Sequence, residues 1–248
     1  MPEDALEIVY ADDHLVAINK PPGLLTHRSA VDRHERRFAL QLLRDQLGKR
    51  VFPVHRLDKP TSGVLLFALS SEGARELSGH FASRLVQKRY LAVVRGVCQD
   101  EGVINHPLKE KLDKMTDKKA TRDKPAQAAE TFYRRVAEVE LAVRVDRYPH
   151  TRYSLVHLEP KTGRKHQLRR HMKHLGHPII GDSTHGKGVH NRFFASRFAC
   201  HRLLLACTAI TLAHPMTRRP LTIEAKPGEA FERMLSEFGW KSALASFL

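Results

Sequence analysis

Apolar positions along the chain fall into short runs of strand length and into stretches with helical spacing. Residues 6–10 and 15–19 read as two short strands around a turn at 11–14. Lys20-Pro21-Pro22-Gly23 then breaks the backbone sharply. Residues 38–47 place Phe38, Leu42, Leu43 and Leu47 at helical spacing and stop at Gly48. A loop is expected over 55–63, which holds Pro60 and Gly63, before a buried strand at 64–69. Ser70 or Ser71 is placed to cap a helix with the stripe Ala74, Leu77, Phe81 and Leu85. Residues 90–95 read as a strand ended by Gly96, and strands return at 131–139 and 152–159. A basic helix is expected over 164–174, with Leu168, Met172 and Leu175 inward and Gly176 as its stop. Residues 203–212 and 221–225 complete the strands. Strands outnumber helices and often follow one another directly. The expected class is therefore α+β, a mixed, largely antiparallel central sheet with flanking helices and loops.

With 248 residues, 42% of them hydrophobic, the chain can bury one core, so residues 1–248 are expected to form a single domain. Residues 105–128 are expected to leave it as a mobile excursion. Their centre, 109–125, carries both charges and almost nothing apolar, and suits either a solvated loop or an RNA-contacting arm. No apolar run is long enough for a membrane span, and the acidic start lacks a signal core, which points to the cytoplasm. Three cysteines, Cys98, Cys200 and Cys207, are too few for a disulfide framework and have no metal-pair spacing.

Charge changes the picture more. Lys plus Arg total 42 against 27 acids, a formal +15, which favours a polyanionic partner, nucleic acid before any other. An anionic membrane surface would call for a basic amphipathic helix, and none is evident. The sixteen histidines include a cluster at His166, His171, His174, His177, His185 and His190. Their spacings match no standard metal pair, so no metal is expected.

Two segments are dense in functional side chains. In His55-Arg56-Leu57-Asp58-Lys59-Pro60-Thr61-Ser62-Gly63, Asp58 can serve as nucleophile, general base or metal ligand, or it can simply cap its own turn. In Lys161-Thr162-Gly163-Arg164-Lys165-His166-Gln167-Leu168-Arg169-Arg170-His171 there is no acid at all, and a basic helix start behind a glycine suits phosphate binding.

Residues 55–68, HRLDKPTSGVLLFA, resemble the signature of the RluA family of pseudouridine synthases. Three more blocks follow in the family's order: Lys20-Pro21-Pro22-Gly23; Lys88-Arg89-Tyr90-Leu91-Ala92; and 162–169 with 176–182 after it. The resemblance spans about residues 6–225. It implies the pseudouridine synthase fold and the conversion of uridine to pseudouridine in RNA, with no metal, nucleotide or redox cofactor. It further implies that Asp58 is the catalytic carboxylate, paired with Arg169. Such a carboxylate, enclosed by a base, needs a cation to stay charged. Tyr90 is implied to pack on the uracil and to help move its C5 proton, Leu168 to lie across the base, and Arg56 to fill the gap left by a flipped nucleotide. Lys20, Thr61, Arg164, Lys165, His166 and Gln167 are expected to bind substrate RNA. His55 is expected to be a structural hydrogen-bonding residue.

With a first strand starting near residue 6, no RNA-binding module of the S4 type precedes the catalytic unit on this reading. Segments His27-Arg28-Ser29, 147–153, 158–171, Phe238-Gly239-Trp240 and Lys111-Leu112-Asp113-Lys114 resemble a bacterial subgroup that acts on tRNA at the uridine of position 65. The expected partner is tRNA, with no membrane and no obligatory protein partner. Ribosomal RNA is the alternative substrate, and a non-catalytic RNA-binding factor is the alternative of another class.

Overall fold

The computed structural model describes residues 5–28, 35–110 and 125–247. Strands β1 (Ile8–Ala11) and β2 (Leu15–Lys20) form a hairpin. Its turn is held by Asp12, whose Oδ1 accepts the N–H groups of His14 at 2.7 Å and Leu15 at 2.9 Å. Helix α1 (Ala39–Leu47) ends at Gly48 with φ +63°, the left-handed cap that glycine adopts without strain. After β3 (Phe52–Pro53) comes β4 (Ser62–Ala68), buried at every position and hence a central strand. Ser70 caps helix α2 (Ser71–Ala82), accepting the Gly73 N–H at 3.0 Å.

Three long strands follow with one short one: β5 (Gln87–Arg95), β6 (Glu101–Asn105), β7 (Glu130–Leu141) and β8 (Thr151–Pro160). Helices α3 (Gln167–His174) and α4 (Gly188–Phe198) lead to β9 (Leu205–Ala213) and β10 (Pro220–Glu224). Helices α5 (Glu229–Glu237) and α6 (Lys241–Phe247) end the described chain.

All ten strands share one sheet, whose main path is β1-β2-β4-β9-β5-β8-β7-β6, with β3 added to β4 and β10 to β9. Of the pairs between these strands among the described residues, only β4–β9 is parallel. The α+β class and the mixed, largely antiparallel sheet are as the sequence predicts. Lys20 stands opposite Gly63, Gly63 opposite Cys207, Cys207 opposite Tyr90, and Tyr90 opposite Leu158. Opposed residues share a face, so this row runs across four strand pairs on one side of the sheet. Gly63 makes the row possible. A Cβ there would lie 2.0 Å from the Cys207 carbonyl oxygen, and its φ is +107°.

Alternation along β5 splits the core. Tyr90, Ala92 and Val94 join Leu168 and Met172 of α3 on the first face. Leu91 and Val93 join Phe194 of α4 and Phe231, Met234 and Leu235 of α5 on the other. Each such side chain, fully buried, contributes roughly 1.5–3 kcal/mol, so α3 and α5 are held to the sheet by packing rather than by helix propensity.

Several expectations are corrected. Strand β4 begins two residues earlier than the hydrophobic run, at Ser62, because the sheet's parallel pairing starts there. Leu85 lies beyond α2 and is 66% exposed, since Arg84 at φ +60° turns the chain away. Helix α3 starts at Gln167, not at 164, because His166 sits at φ +55°. Strands β3 and β6 and helices α4, α5 and α6 were not anticipated. The described flanks of the expected excursion are tied to the rest of the chain. Leu108 bridges Gln127, Leu108 is buried, and Arg170 donates to the Lys109 carbonyl at 3.0 Å. Residues 111–124, including Lys111-Leu112-Asp113-Lys114, lie outside the described residues, as does Ser29.

Candidate active site

The loop entering β4 alternates its anchors and its free groups. Leu57 is buried at 7% exposure, and His55 stacks on Phe81 with ring centroids 4.6 Å apart. His55 Nε2 also accepts the Leu66 N–H at 3.0 Å. Burial, reinforced by the Lys88 charge, pushes the His55 pKa down to about 3, which keeps the ring neutral for that bond. The intervening Arg56 and Asp58 therefore point outward, and Arg56 is exposed. The Thr61 N–H donates to the Asp58 carbonyl at 3.0 Å and closes the turn.

Lys20, expected at the RNA surface, is fully buried. Its ammonium donates to the carbonyls of Pro21 (2.9 Å), Leu24 (2.8 Å) and Lys59 (3.2 Å). It therefore fastens the early turn to the Asp58 loop, which a Gly23 N–H to Lys59 carbonyl bond of 2.8 Å completes. Burial, then the charge of Arg202, lowers the Lys20 pKa to about 7, with Asp58 opposing. Thr61 and Gln167 are buried as well. Gln167 Oε1 accepts from Thr162 Oγ1 (2.6 Å) and Arg164 N (3.0 Å), while its Nε2 donates to the Glu130 carbonyl (2.9 Å) and Thr131 Oγ1 (3.0 Å). All four of its hydrogen-bonding positions are taken, so in this structure it fixes a turn and faces no surface.

That turn aims α3. Arg169, in the first turn of the helix, sends Nη1 to Asp58 Oδ2 at 3.1 Å. Its other nitrogens grip Asp182, Nε to Oδ2 at 2.7 Å and Nη2 to Oδ1 at 2.8 Å. Side-chain exposure falls from 27% at Asp58 to 4% at Arg169 and 1% at Asp182. A carboxylate on the surface is thus backed by a buried guanidinium, which is itself backed by a buried carboxylate. Burial pushes the Asp182 pKa up, but the hydrogen bond from Arg169 and the His185 and Thr184 N–H groups outweigh it and hold the carboxyl below its ordinary range. Those N–H groups reach Oδ1 at 2.8 Å and 2.9 Å. Removing one member of a buried ion pair typically costs about 3–5 kcal/mol, so the chain is a rigid unit.

His166 lies beside this chain, with Nε2 3.9 Å from Asp58 Oδ2 and Nδ1 3.0 Å from His185 Nε2. Burial lowers its pKa, against the pull of Asp58, and favours a neutral ring. Tyr90 is buried in the cluster that holds Leu168. Burial, the Cys207 thiol and then the Asp58 charge raise its phenol well above 10. Arg164 donates Nε to the Ala128 carbonyl at 3.2 Å, and Lys165 is exposed.

The structure thus brings Asp58, Arg169, His166, Tyr90 and Leu168 together from the loop before β4, from β5 and from α3. It leaves Arg56, Arg164 and Lys165 near the surface and buries Lys20, Thr61 and Gln167. Sequence reasoning quoted Asp182 without giving it a role. A signal was available: the basic segment 161–171 has no acid, and an arginine buried on it requires a carboxylate from elsewhere.

Comparison with known proteins places the chain in a family. The family model described as RNA pseudouridylate synthase matches residues 14–174, which include Asp58, Tyr90 and Arg169. A protein named tRNA pseudouridine synthase C from Vibrio cholerae serotype O1 is 54% identical over 239 residues, covering 96% of this chain and 98% of its own length. The protein of the same name from Salmonella typhimurium is also 54% identical, over 96% of this chain and 92% of its own. Among solved structures, Human RNA Pseudouridylate Synthase Domain Containing 4 superposes with a TM-score of 0.70 at 25% identity, covering 94% of this chain and 93% of that one. A family model over residues 14–174 and 54% identity across 96% of the chain lead to one assignment: this chain belongs to the RNA pseudouridylate synthase family.

Proposed function

We propose that this protein isomerises one uridine of tRNA to pseudouridine, at position 65 in the acceptor and T-stem region, with Asp58 as the essential catalytic residue. The carrying observation is the Asp58–Arg169–Asp182 chain, 3.1 Å at its first link, beside a buried phenol. Two highly similar relatives carry tRNA in their names, and the formal charge of +15 suits a polyphosphate substrate. The choice of position 65 rests on the subgroup-like segments, 147–153 and 238–240 among them.

The reaction breaks the N1–C1′ bond, turns the uracil and joins C5 to C1′. The C5 proton leaves and N1 gains one, so the product is an isomer and no co-reactant is consumed. Asp58 attacks C1′, attacks C6 or removes a sugar proton; each role needs an oxygen facing the nucleotide and a fixed counter-charge behind it. Arg169 supplies that charge without competing for solvent. A target in a stem must first leave the stack, and the exposed Arg56 stands where a side chain can fill the gap. Tyr90 and Leu168 pack against the base. With its pKa raised by burial, the Tyr90 phenol stays protonated and serves as a packing surface and donor rather than as a resting base for the C5 proton. Arg164 and Lys165 meet backbone phosphates. Among the described residues no helix is long and apolar enough to cross a membrane. A cytoplasmic enzyme working without an obligatory protein partner is the reading adopted.

The test uses Asp58→Asn with an unmodified tRNA transcript and ribosomal RNA side by side. Mass spectrometry of the product should find pseudouridine in tRNA with the wild type and none with the variant, while the variant binds tRNA within about twofold of wild type. Turnover by the variant removes the role of Asp58. Modification of ribosomal RNA alone moves the substrate, and an inert wild type leaves only a binding factor.

A further inference from the structure

A cavity of about 380 Å³ opens at the far end of β5 and β8. Its walls include Arg95, Glu140, Asp146, Tyr148, Arg152 and His190. Arg95 is five residues along β5 from Tyr90, roughly 17 Å at the usual strand rise, so the cavity is separate from the Asp58 site. Segment 147–153, which borders it, has no part in the isomerisation described above.

The polar groups of this cavity are unevenly matched. Asp146 is engaged by Lys187, and Glu140 lies 3.9 Å from Arg152 and 3.7 Å from His150. The Arg95 guanidinium has no hydrogen bond or ion pair among the described residues, although its charge acts on Tyr153, His190 and Asp146. His190 is 3% exposed and its Nε2 is buried without a partner among the described residues. Thr151 Oγ1 donates to the Tyr153 hydroxyl at 3.4 Å, and that hydroxyl lies 2.9 Å from His190 Nδ1. When the hydroxyl gives its proton to Nδ1, the neutral ring carries its own proton on Nε2, a donor with nothing to receive it. Burial, followed by the Arg95 and Lys187 charges, lowers the His190 pKa to about 4, so the ring is neutral at pH 7. His190 also lies in the first turn of α4, an eleven-residue helix with no side-chain cap.

A free guanidinium and an uncapped helix start both call for an acceptor that carries negative charge, and the unmatched His190 Nε2 can donate to the same group in its protonated tautomer. At the rim, Tyr148 is 58% exposed, with the Arg147 guanidinium 5.3 Å from its ring centroid. An exposed ring beside arginine is the kind of platform on which a nucleobase stacks. We propose that this cavity holds a backbone phosphate of the RNA substrate, with Arg95 and His190 as its donors, and so anchors the RNA away from the isomerised uridine. The inference rests on RNA being the substrate, as proposed above, and adds a contact point to it.

The experiment measures binding to an unmodified tRNA transcript over a range of salt. Every protein carries Asp58→Asn, so that no turnover occurs during the measurement. Arg95→Gln should weaken binding about tenfold and reduce the slope of log affinity against log salt by about 1, the signature of one lost phosphate contact. Arg95→Lys should keep the slope, and circular dichroism melting should be the same in all three. In the otherwise wild-type enzyme, Arg95→Gln should raise KM and leave kcat within twofold. Unchanged affinity and slope in Arg95→Gln, with wild-type tRNA turnover intact, overturns the anchor and leaves the isomerase reading standing. So does a melting shift with inorganic phosphate that vanishes in Arg95→Gln while RNA affinity holds, because the cavity then serves a free anion. Loss of wild-type turnover itself strikes the isomerase reading instead.

Discussion

Asp182 takes hold of Arg169 with both carboxylate oxygens, at 2.7 Å and 2.8 Å, and leaves one guanidinium nitrogen for Asp58. The bidentate grip fixes the guanidinium plane, so Asp58 meets its counter-charge at one angle. Asp182→Asn keeps the shape and removes the charge. Arg169 then has a single anion to follow and swings toward Asp58. The expected result is a fall in kcat of about 10–100-fold with RNA affinity within twofold, because Asp182 is buried behind Arg169. Single-turnover kinetics at a temperature where the variant is folded checks this. A variant with wild-type kcat would show that Asp182 only stabilises the fold.

Lys20 separates a structural lysine from an RNA-binding one. Lys20→Met leaves three carbonyls, those of Pro21, Leu24 and Lys59, without their ammonium. Stability should fall by about 2–4 kcal/mol in denaturant titration. The salt slope of tRNA binding should not change. A reduced slope with unchanged stability would return Lys20 to the RNA surface.

Acid should unfold this protein earlier than its carboxylates require. His55 takes up a proton near pH 3 when folded and near 6.5 when free, and His190 near 4 when folded. Between these values the unfolded state binds more protons, so stability falls as pH drops from about 6.5. Each such histidine adds about 1.4 kcal/mol per pH unit to that slope. Denaturant titrations from pH 7.5 to 4.5 should show it. His55→Gln, which can still accept the Leu66 N–H, should flatten the slope between pH 6 and 4. Parallel curves for variant and wild type would acquit His55.

The legible parts of this molecule are those where local pattern and tertiary demand agree. Val64–Ala68 is apolar because it is central, and its strand is evident. The Asp58 loop announces itself by proline, glycine and charge. The Asp58–Arg169 pair was expected only through family resemblance, since no local rule links residues 111 apart. Legibility fails where the partner is backbone or distant. A lysine looks basic in sequence, yet Lys20 is spent on carbonyl groups. Gln167 reads as a polar helical residue, yet its value is in tying Thr131 to Thr162. His166 carries no sign of its left-handed φ, so α3 was expected to start three residues too soon. Helix α4 has Phe193, Phe194 and Phe198 with polar residues between them, too short a pattern to separate from loop. Asp182 is an ordinary turn aspartate until Arg169 is placed beside it.

Strand β9 carries a burden that only its place in the sheet reveals. It is the bridge between β4 and β5, so the hairpin that precedes Asp58 and the strand that bears Tyr90 meet through it and through no other strand pair. Its residues 205–213 come after both of those elements in the chain. During synthesis the chain therefore holds the Asp58 loop and Tyr90 before it holds the seam that unites them. Until β9 is paired on both sides, the Asp58 loop and Tyr90 belong to separate pieces of sheet.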